Sequence, residues 1–130
     1  MFRLFSISLC TVLSVSAAAA QDCSNPTSQS EMNHCAYAAY QAADEDLNLA
    51  YRMAMDSAKQ MDQYLAPGEV TNSEMLRDAQ RAWIPFRDKA CAAESNLARG
   101  GTMQSMLVSS CMERLTRQRT EDLRYFGEVN

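Results

Sequence analysis

The sequence has little of what enzymes use for chemistry. It contains one histidine, His34, and no phosphate-binding loop, zinc-ligand spacing or nucleotide fingerprint. A Cys/His nucleophile would need a free thiolate beside the imidazole, but the neighbour of His34 is Cys35, which we expect to be disulfide-bonded. The acidic run Asp44 to Asp46 is typical of a solvated helix face, although paired acids can act as general acid and base. We therefore expect neither catalysis nor a cofactor.

Long hydrophobic runs are also missing. The apolar run from Leu4 to Val15 is too short to span a membrane. With Arg3 before it and the small residues Ala18 to Ala20 after it, the run is typical of a secretory signal peptide. We expect residues 1–20 to be removed, leaving residues 21–130 as a single exported, periplasmic domain with no membrane anchor.

Positive charge is in the minority. Residues 1–20 hold one of the 12 basic residues and none of the 16 acidic ones, so the mature chain would carry a net charge of about −5. An acidic chain is a poor candidate for nucleic acid, because that binding depends on neutralising phosphates. It is better suited to a basic partner.

Strand-like alternation of polar and apolar residues is absent over any useful length, so the pattern predicts an all-α fold. Apolar residues recur every three to four positions over about 29–65, 72–97 and 103–126. Breakers separate these segments at Pro67-Gly68 and at Gly100-Gly101. The sequence predicts three long helices in an antiparallel, up-down arrangement. Pro85 lies inside the second segment, where we expect a kink rather than an end because the apolar period continues.

Four of the five cysteines lie outside the predicted signal, and an even number in a short exported chain indicates two disulfides. Cys91 lies nine residues before Gly100 and Cys111 nine residues after Thr102. In a hairpin that turns at the glycines these two cysteines lie at matching heights, which favours the pair Cys91–Cys111. By elimination, Cys23 would then pair with Cys35.

The predicted core centres on Trp83, the only tryptophan. Ala79, Trp83, Phe86 and Ala90 share one face of a helix, and we expect that face to be buried. Asp44 lies at the edge of the apolar face of the first helix. An arginine of the second helix, Arg81 or Arg87, could pair with it as a buried structural ion pair.

Two features could bind a ligand or partner. The loop Arg99-Gly100-Gly101-Thr102 carries a basic side chain on a glycine-flanked turn, which could enter an acidic cleft or simply end a helix. The many methionines, among them Met53, Met55 and Met103, could bind Cu(I) through their thioethers. Methionines at helical spacing are more often core filler.

The chain resembles the LprI-like lysozyme-inhibitor domain, once catalogued as a domain of unknown function. The resemblance covers nearly the whole mature chain in matching order and spacing, and its residues are Met32-Asn33-His34-Cys35-Ala36, Ala43-Asp44, Leu47-Asn48, Tyr51, Ala79 to Ile84, Phe86-Arg87-Asp88, Cys91, Gly100-Gly101-Thr102, Cys111, Leu115-Thr116 and Arg119.

The resemblance implies a small helical, disulfide-bonded domain in the bacterial periplasm that inhibits lysozyme. Opposite net charge would speed its encounter with a basic lysozyme, and inhibition would be steric. We expect lysozyme or another basic cell-wall hydrolase as the partner. The alternatives are a periplasmic protein-interaction module without a hydrolase target and, third, a copper-binding protein rich in methionine.

Overall fold

The computed structural model describes residues 22–128, which form three α-helices and no strand. Helix α1 spans Gln29–Asp62, α2 spans Asn72–Ser95 and α3 spans Gln104–Glu128, with a short 3-10 turn at Asn96–Ala98. The predicted all-α fold of three long helices is confirmed. The predicted signal peptide, residues 1–20, lies outside the described residues. Within residues 22–128, no helix is long and apolar enough to cross a membrane.

Two capping boxes start α1 and α2. The Ser28 hydroxyl accepts from the Glu31 backbone N–H, and the Glu31 carboxylate accepts from the Ser28 N–H at 3.0 Å. Thr71 and Glu74 repeat this exchange at the start of α2. Each cap contributes about 1 kcal/mol to stability, because it satisfies amides that have no partner within the helix. Both helix starts agree with the sequence pattern, and α2 continues through Pro85.

Asp62, the last residue of α1, binds the first turn of α2. Its Oδ1 accepts from the Asn72 backbone N–H at 2.6 Å, and its Oδ2 accepts from the Ser73 hydroxyl at 2.6 Å. Burial works to raise the pKa of Asp62, but the hydrogen bonds from Ser73 and Asn72 outweigh it and hold that pKa below its ordinary value of 3.8. The carboxylate therefore fixes the angle between the two helices.

Asp62→Asn is expected to lower stability at neutral pH and to weaken the loss of stability in acid. A carboxylate with a depressed folded-state pKa stabilises the protein above its unfolded pKa, and this contribution is lost as the pH falls through the lower folded pKa. Thermal unfolding followed between about pH 7 and about pH 2 measures the effect. The matched control is Asp56→Asn, on the exposed side of α1. Identical pH profiles for Asp62→Asn and the unmodified protein would contradict the prediction.

The centre of the core is the seam between α1 and α3, which is the most extensive helix contact. The buried residues of α1 are small or aliphatic and share one face, and α3 meets them with equally compact side chains and with Leu123. Small side chains let the two helices approach closely. The buried members are Ala43, Leu47, Ala50, Ala54 and Ala58 of α1, and Ser109, Cys111, Thr116, Thr120 and Leu123 of α3.

The predicted inward face of α2 is wrong at Phe86 and Ala79, although Leu76, which belongs to the same apolar pattern, is buried. Phe86 is 61% exposed, Ala79 is exposed as well, and Trp83 is only partly buried at the edge of the core cluster. The buried side chains of α2 are instead Leu76, Gln80, Arg87, Cys91 and Ser95.

Helix α2 is rotated about its own axis relative to the prediction, because Arg87 and Cys91 turn inward to reach their partners. Arg87 is 6% exposed and reaches two acids, while Cys91 is bonded to Cys111 on α3. Successive helix residues are about 100° apart, so burying positions 87 and 91 turns position 86 towards solvent. Phe86 is therefore not a core residue.

Candidate functional site

The turn between α2 and α3, residues 96–103, is called the α2–α3 tip here. Gly100 has a φ of 76°, a left-handed conformation that favours glycine. Its N–H donates to the Gln104 side-chain oxygen at 3.0 Å, and the Gly101 N–H donates to the Ala98 carbonyl at 2.9 Å. The loop predicted from Arg99 to Thr102 is thus an ordered turn with its own hydrogen bonds.

Two contacts outside the turn fix the tip to the rest of the protein. The Asn33 side-chain amide donates to the Thr102 carbonyl at 3.0 Å, which ties the tip to the first turns of α1. Behind the tip, the Cys91–Cys111 disulfide joins α2 to α3. The tip is therefore held between all three helices.

The exposed side chains of the tip combine apolar surface with one positive charge. Leu97 is 87% exposed and Met103 is 43% exposed. Arg99 is exposed too, and its Nε donates to the Asn96 side-chain oxygen at 3.2 Å. The apolar period of the second segment continues to Leu97 and predicts an inward side chain there. This prediction is wrong, because α2 ends at Ser95 and the following 3-10 turn changes the direction of the side chains. The signal that could have placed it outside is its position next to the glycine turn.

Further back along α2, the buried Arg87 organises a cluster of polar and aromatic side chains. Its Nη1 lies 3.2 Å from Asp44 Oδ1, and its Nη2 lies 2.9 Å from Asp88 Oδ1. Its guanidinium lies 5.3 Å from the Tyr40 ring centroid and 5.2 Å from that of Trp83, in cation–π range. Of the two partners predicted for Asp44, the structure selects Arg87, whereas Arg81 contacts Asp78 at 4.0 Å.

The pKa shifts in this cluster favour a structural role. Burial works to lower the pKa of Arg87, but the hydrogen bond to Asp88 and the charges around it outweigh burial and raise that pKa. Burial raises the pKa of Tyr40, and the charge of Arg87 partly offsets the rise. Both side chains therefore keep their ordinary protonation states at neutral pH, the arginine charged and the phenol neutral.

Both disulfides form as predicted, Cys23–Cys35 and Cys91–Cys111. Because the Cys35 sulfur is bonded, it cannot act as a thiolate nucleophile beside the exposed His34. Met53 is exposed while Met55 packs against the core, so these two thioethers do not converge on one copper site.

The three helices and the two disulfides place this protein in the class of small, all-α, disulfide-bonded domains. The model of the family described as "Lysozyme inhibitor LprI" matches residues 20–123, and the chain belongs to this family. The family description names inhibition of lysozyme.

Two further proteins are similar to this chain. An uncharacterized protein of Rhizobium meliloti (strain 1021) is 41% identical over 110 residues, which are 82% of this chain and 79% of that protein. The crystal structure of a DUF1311 family protein from Pseudomonas putida KT2440 matches with a TM-score of 0.67 at 24% identity, covering 80% of this chain and 97% of that one. At that identity the second likeness shows the fold alone.

Proposed function

We propose that this protein binds and blocks a basic, lysozyme-type cell-wall hydrolase in the periplasm, using the α2–α3 tip. Membership of the lysozyme inhibitor LprI family supports the target class. The observation that carries the choice of surface is the exposed combination of Leu97, Arg99 and Met103 on a turn that all three helices hold in place.

The chemistry of the tip suits the cleft of a glycoside hydrolase. Such a cleft uses a pair of carboxylic acids on either side of the bond to be cleaved. The guanidinium of Arg99 is a planar donor that matches a carboxylate, while Leu97 and Met103 offer apolar surface to the sugar-binding walls. A tip that is already ordered loses little conformational entropy on binding.

The net charge of the protein is expected to raise its association rate with a basic enzyme more than it raises the stability of the complex. The chain has a formal charge of −4, and −5 without its first twenty residues. Opposite net charges raise the association rate at low salt, and added salt screens the attraction. Inhibition of a basic enzyme is therefore expected to be stronger at low salt than at high salt.

Arg99→Glu and Leu97→Ala are each expected to weaken inhibition by about 30-fold, the effect of losing roughly 2 kcal/mol at a binding hot spot. Lysis of a cell-wall suspension by a basic animal-type lysozyme, titrated with the oxidised protein, measures the effect. The matched control is Arg52→Glu, the same charge change at an exposed position of α1, which should leave the inhibition close to that of the unmodified protein.

Two outcomes would contradict the proposal. Unchanged lysozyme activity at a large molar excess of folded protein would exclude that enzyme as the target. Equal inhibition by Arg99→Glu and Arg52→Glu, with Leu97→Ala also unaffected, would show that another surface binds. The periplasmic location is tested by expressing the full chain and measuring the mass of the protein recovered from the periplasmic fraction. That mass should correspond to a chain that begins at Gln21.

A further inference from the structure

A groove of about 500 Å³ lies between α1 and α2, separate from the α2–α3 tip. This volume is in the range of small-molecule sites. Helix α1 lines it with Tyr40, Asp44, Asn48 and Tyr51, which share one helical face. Leu97 lies ten residues beyond Arg87, the groove residue of α2 closest to it in sequence, or about 15 Å along a helix.

Arginine is the commonest charged residue in the lining of the groove. Three arginines of α2 line it, Arg77, Arg81 and Arg87, against a single acid, Asp44. The charge of Arg87 is already balanced by Asp44 and Asp88. Arg77 and Arg81, in contrast, share one neighbouring acid, Asp78.

The guanidinium groups of Arg77 and Arg81 are available to a ligand. Within residues 22–128 their ion-pair partner is Asp78, at 3.8 Å and 4.0 Å, which is beyond hydrogen-bond distance. Their side chains are 44% and 73% exposed. Two arginine side chains at spacing four, on one face of a helix, can bind one carboxylate between them.

The other groove side chains suit the ring and the hydroxyl groups of a sugar. The phenol rings of Tyr40 and Tyr51 offer flat faces and hydroxyl groups, and Asn48 and Gln80 offer amides. The side-chain oxygen of Gln80 is used within the fold, since it accepts from Arg119 Nε at 3.0 Å. Its NH₂ group makes no hydrogen bond within the described part of the chain, and can donate to a ligand hydroxyl.

We propose that the groove between α1 and α2 binds a small saccharide that carries a carboxylate. The carboxylate pairs with Arg77 and Arg81, the ring lies against the tyrosines, and the hydroxyls bond with Asn48 and Gln80. A neutral sugar would leave Arg77 and Arg81 with Asp78 as their shared ion-pair partner and would add no charge-assisted hydrogen bond. This site is independent of the proposed hydrolase inhibition, because it uses neither Leu97 nor Arg99.

N-acetylmuramic acid is the probe, and N-acetylglucosamine is its matched control, because the two sugars differ by the ether-linked lactic acid that carries the carboxylate. Trp83 reports binding through its fluorescence, since it is the only tryptophan and its ring contacts Arg87 in the groove. Isothermal titration calorimetry of the folded protein provides a second reading. We expect saturable binding of N-acetylmuramic acid and binding of N-acetylglucosamine weaker by about tenfold or more.

Arg77→Ala/Arg81→Ala is expected to weaken binding of N-acetylmuramic acid about tenfold or more. Arg52→Ala/Lys59→Ala removes the same charge from exposed positions of α1 outside the groove and should bind like the unmodified protein. Circular dichroism checks that both double variants are folded.

Several results would overturn the proposal. These are no heat and no fluorescence change with N-acetylmuramic acid up to about 10 mM, equal affinity for the two sugars, or unchanged affinity in Arg77→Ala/Arg81→Ala. Tighter binding of glucose 6-phosphate than of N-acetylmuramic acid would assign the arginines to phosphate instead. Inhibition of lysozyme by the tip would be unaffected by any of these results.

Discussion

Arg87→Ala is expected to lower the free energy of unfolding by about 3 kcal/mol. The Arg87 side chain is among the most buried charged groups of the described chain, at 6% exposed. Its removal leaves a void between the rings of Tyr40 and Trp83 and takes the ion-pair partner from Asp44 and Asp88. Both acids are partly exposed, so water can solvate them, which keeps the loss below the upper end of about 5 kcal/mol. Urea unfolding followed by Trp83 fluorescence measures it.

Matched variants separate the contributions of charge, packing and position. Arg87→Lys keeps the charge but loses the planar fork and the stacking on two rings, so an intermediate loss is expected. Arg81→Ala removes an exposed arginine about one and two-thirds turns away and should change stability by less than about 0.5 kcal/mol. A loss below about 1 kcal/mol for Arg87→Ala would show that the cluster contributes little to the fold.

Local signals account for the parts of the fold that could be predicted. The two capping boxes, at Ser28 and Thr71, and the breakers at Pro67-Gly68 and Gly100 fix where the helices begin and end, because each acts on its own neighbouring backbone. The Cys91–Cys111 pair followed from counting residues on either side of a turn, which needs only the hairpin and not its packing. The approximate lengths of the helices and their order could therefore be predicted from the sequence.

The rotation of α2 about its own axis could not be predicted from such local signals. An apolar count places Phe86 inside, because it scores each residue against solvent alone. Arg87 entered the prediction only as one of two possible partners of Asp44. In the fold the guanidinium of Arg87 lies against Asp44 and Tyr40 of α1 and Thr116 of α3. Its remaining ring neighbour, Trp83, lies one turn earlier on α2. A buried arginine depends on partners that no local pattern reveals. The error moved Trp83 to the centre of the core, although the pair of Asp44 with an arginine of α2 was predicted.

The groove was missed for a related reason. Tyr40, Asp44 and Tyr51 share a face of α1, and Arg77 and Arg81 lie on one side of α2, so each half was visible in the sequence. Their meeting depends on how α2 is rotated, which follows from Arg87. The tip loop, in contrast, was found from Arg99 and the glycines, because a turn with a positive φ is a local property.

Cys91→Ala/Cys111→Ala is expected to lower the free energy of unfolding by about 3 kcal/mol and to weaken inhibition of lysozyme. The bridge joins residues 20 apart, at the base of the α2–α3 tip, and both cysteines are buried. Without it, α2 and α3 can separate at that end, and the tip must be ordered again on binding. Urea unfolding and the cell-wall lysis assay, both with oxidised protein, measure the two effects.

Cys23→Ala/Cys35→Ala is the matched control, because it also removes one disulfide. A chain-entropy argument alone gives the two bridges similar values of about 3 kcal/mol, since the loops differ little in length. The structure separates them. Cys23 is exposed, and its bridge ties only the short leader before α1 to the second turn of that helix, whereas Cys91–Cys111 joins two helices inside the core. We therefore expect Cys23→Ala/Cys35→Ala to lose less stability and to inhibit like the unmodified protein. Equal losses of stability in the two double variants would show that loop closure, and not the position of the bridge, sets the contribution of each disulfide.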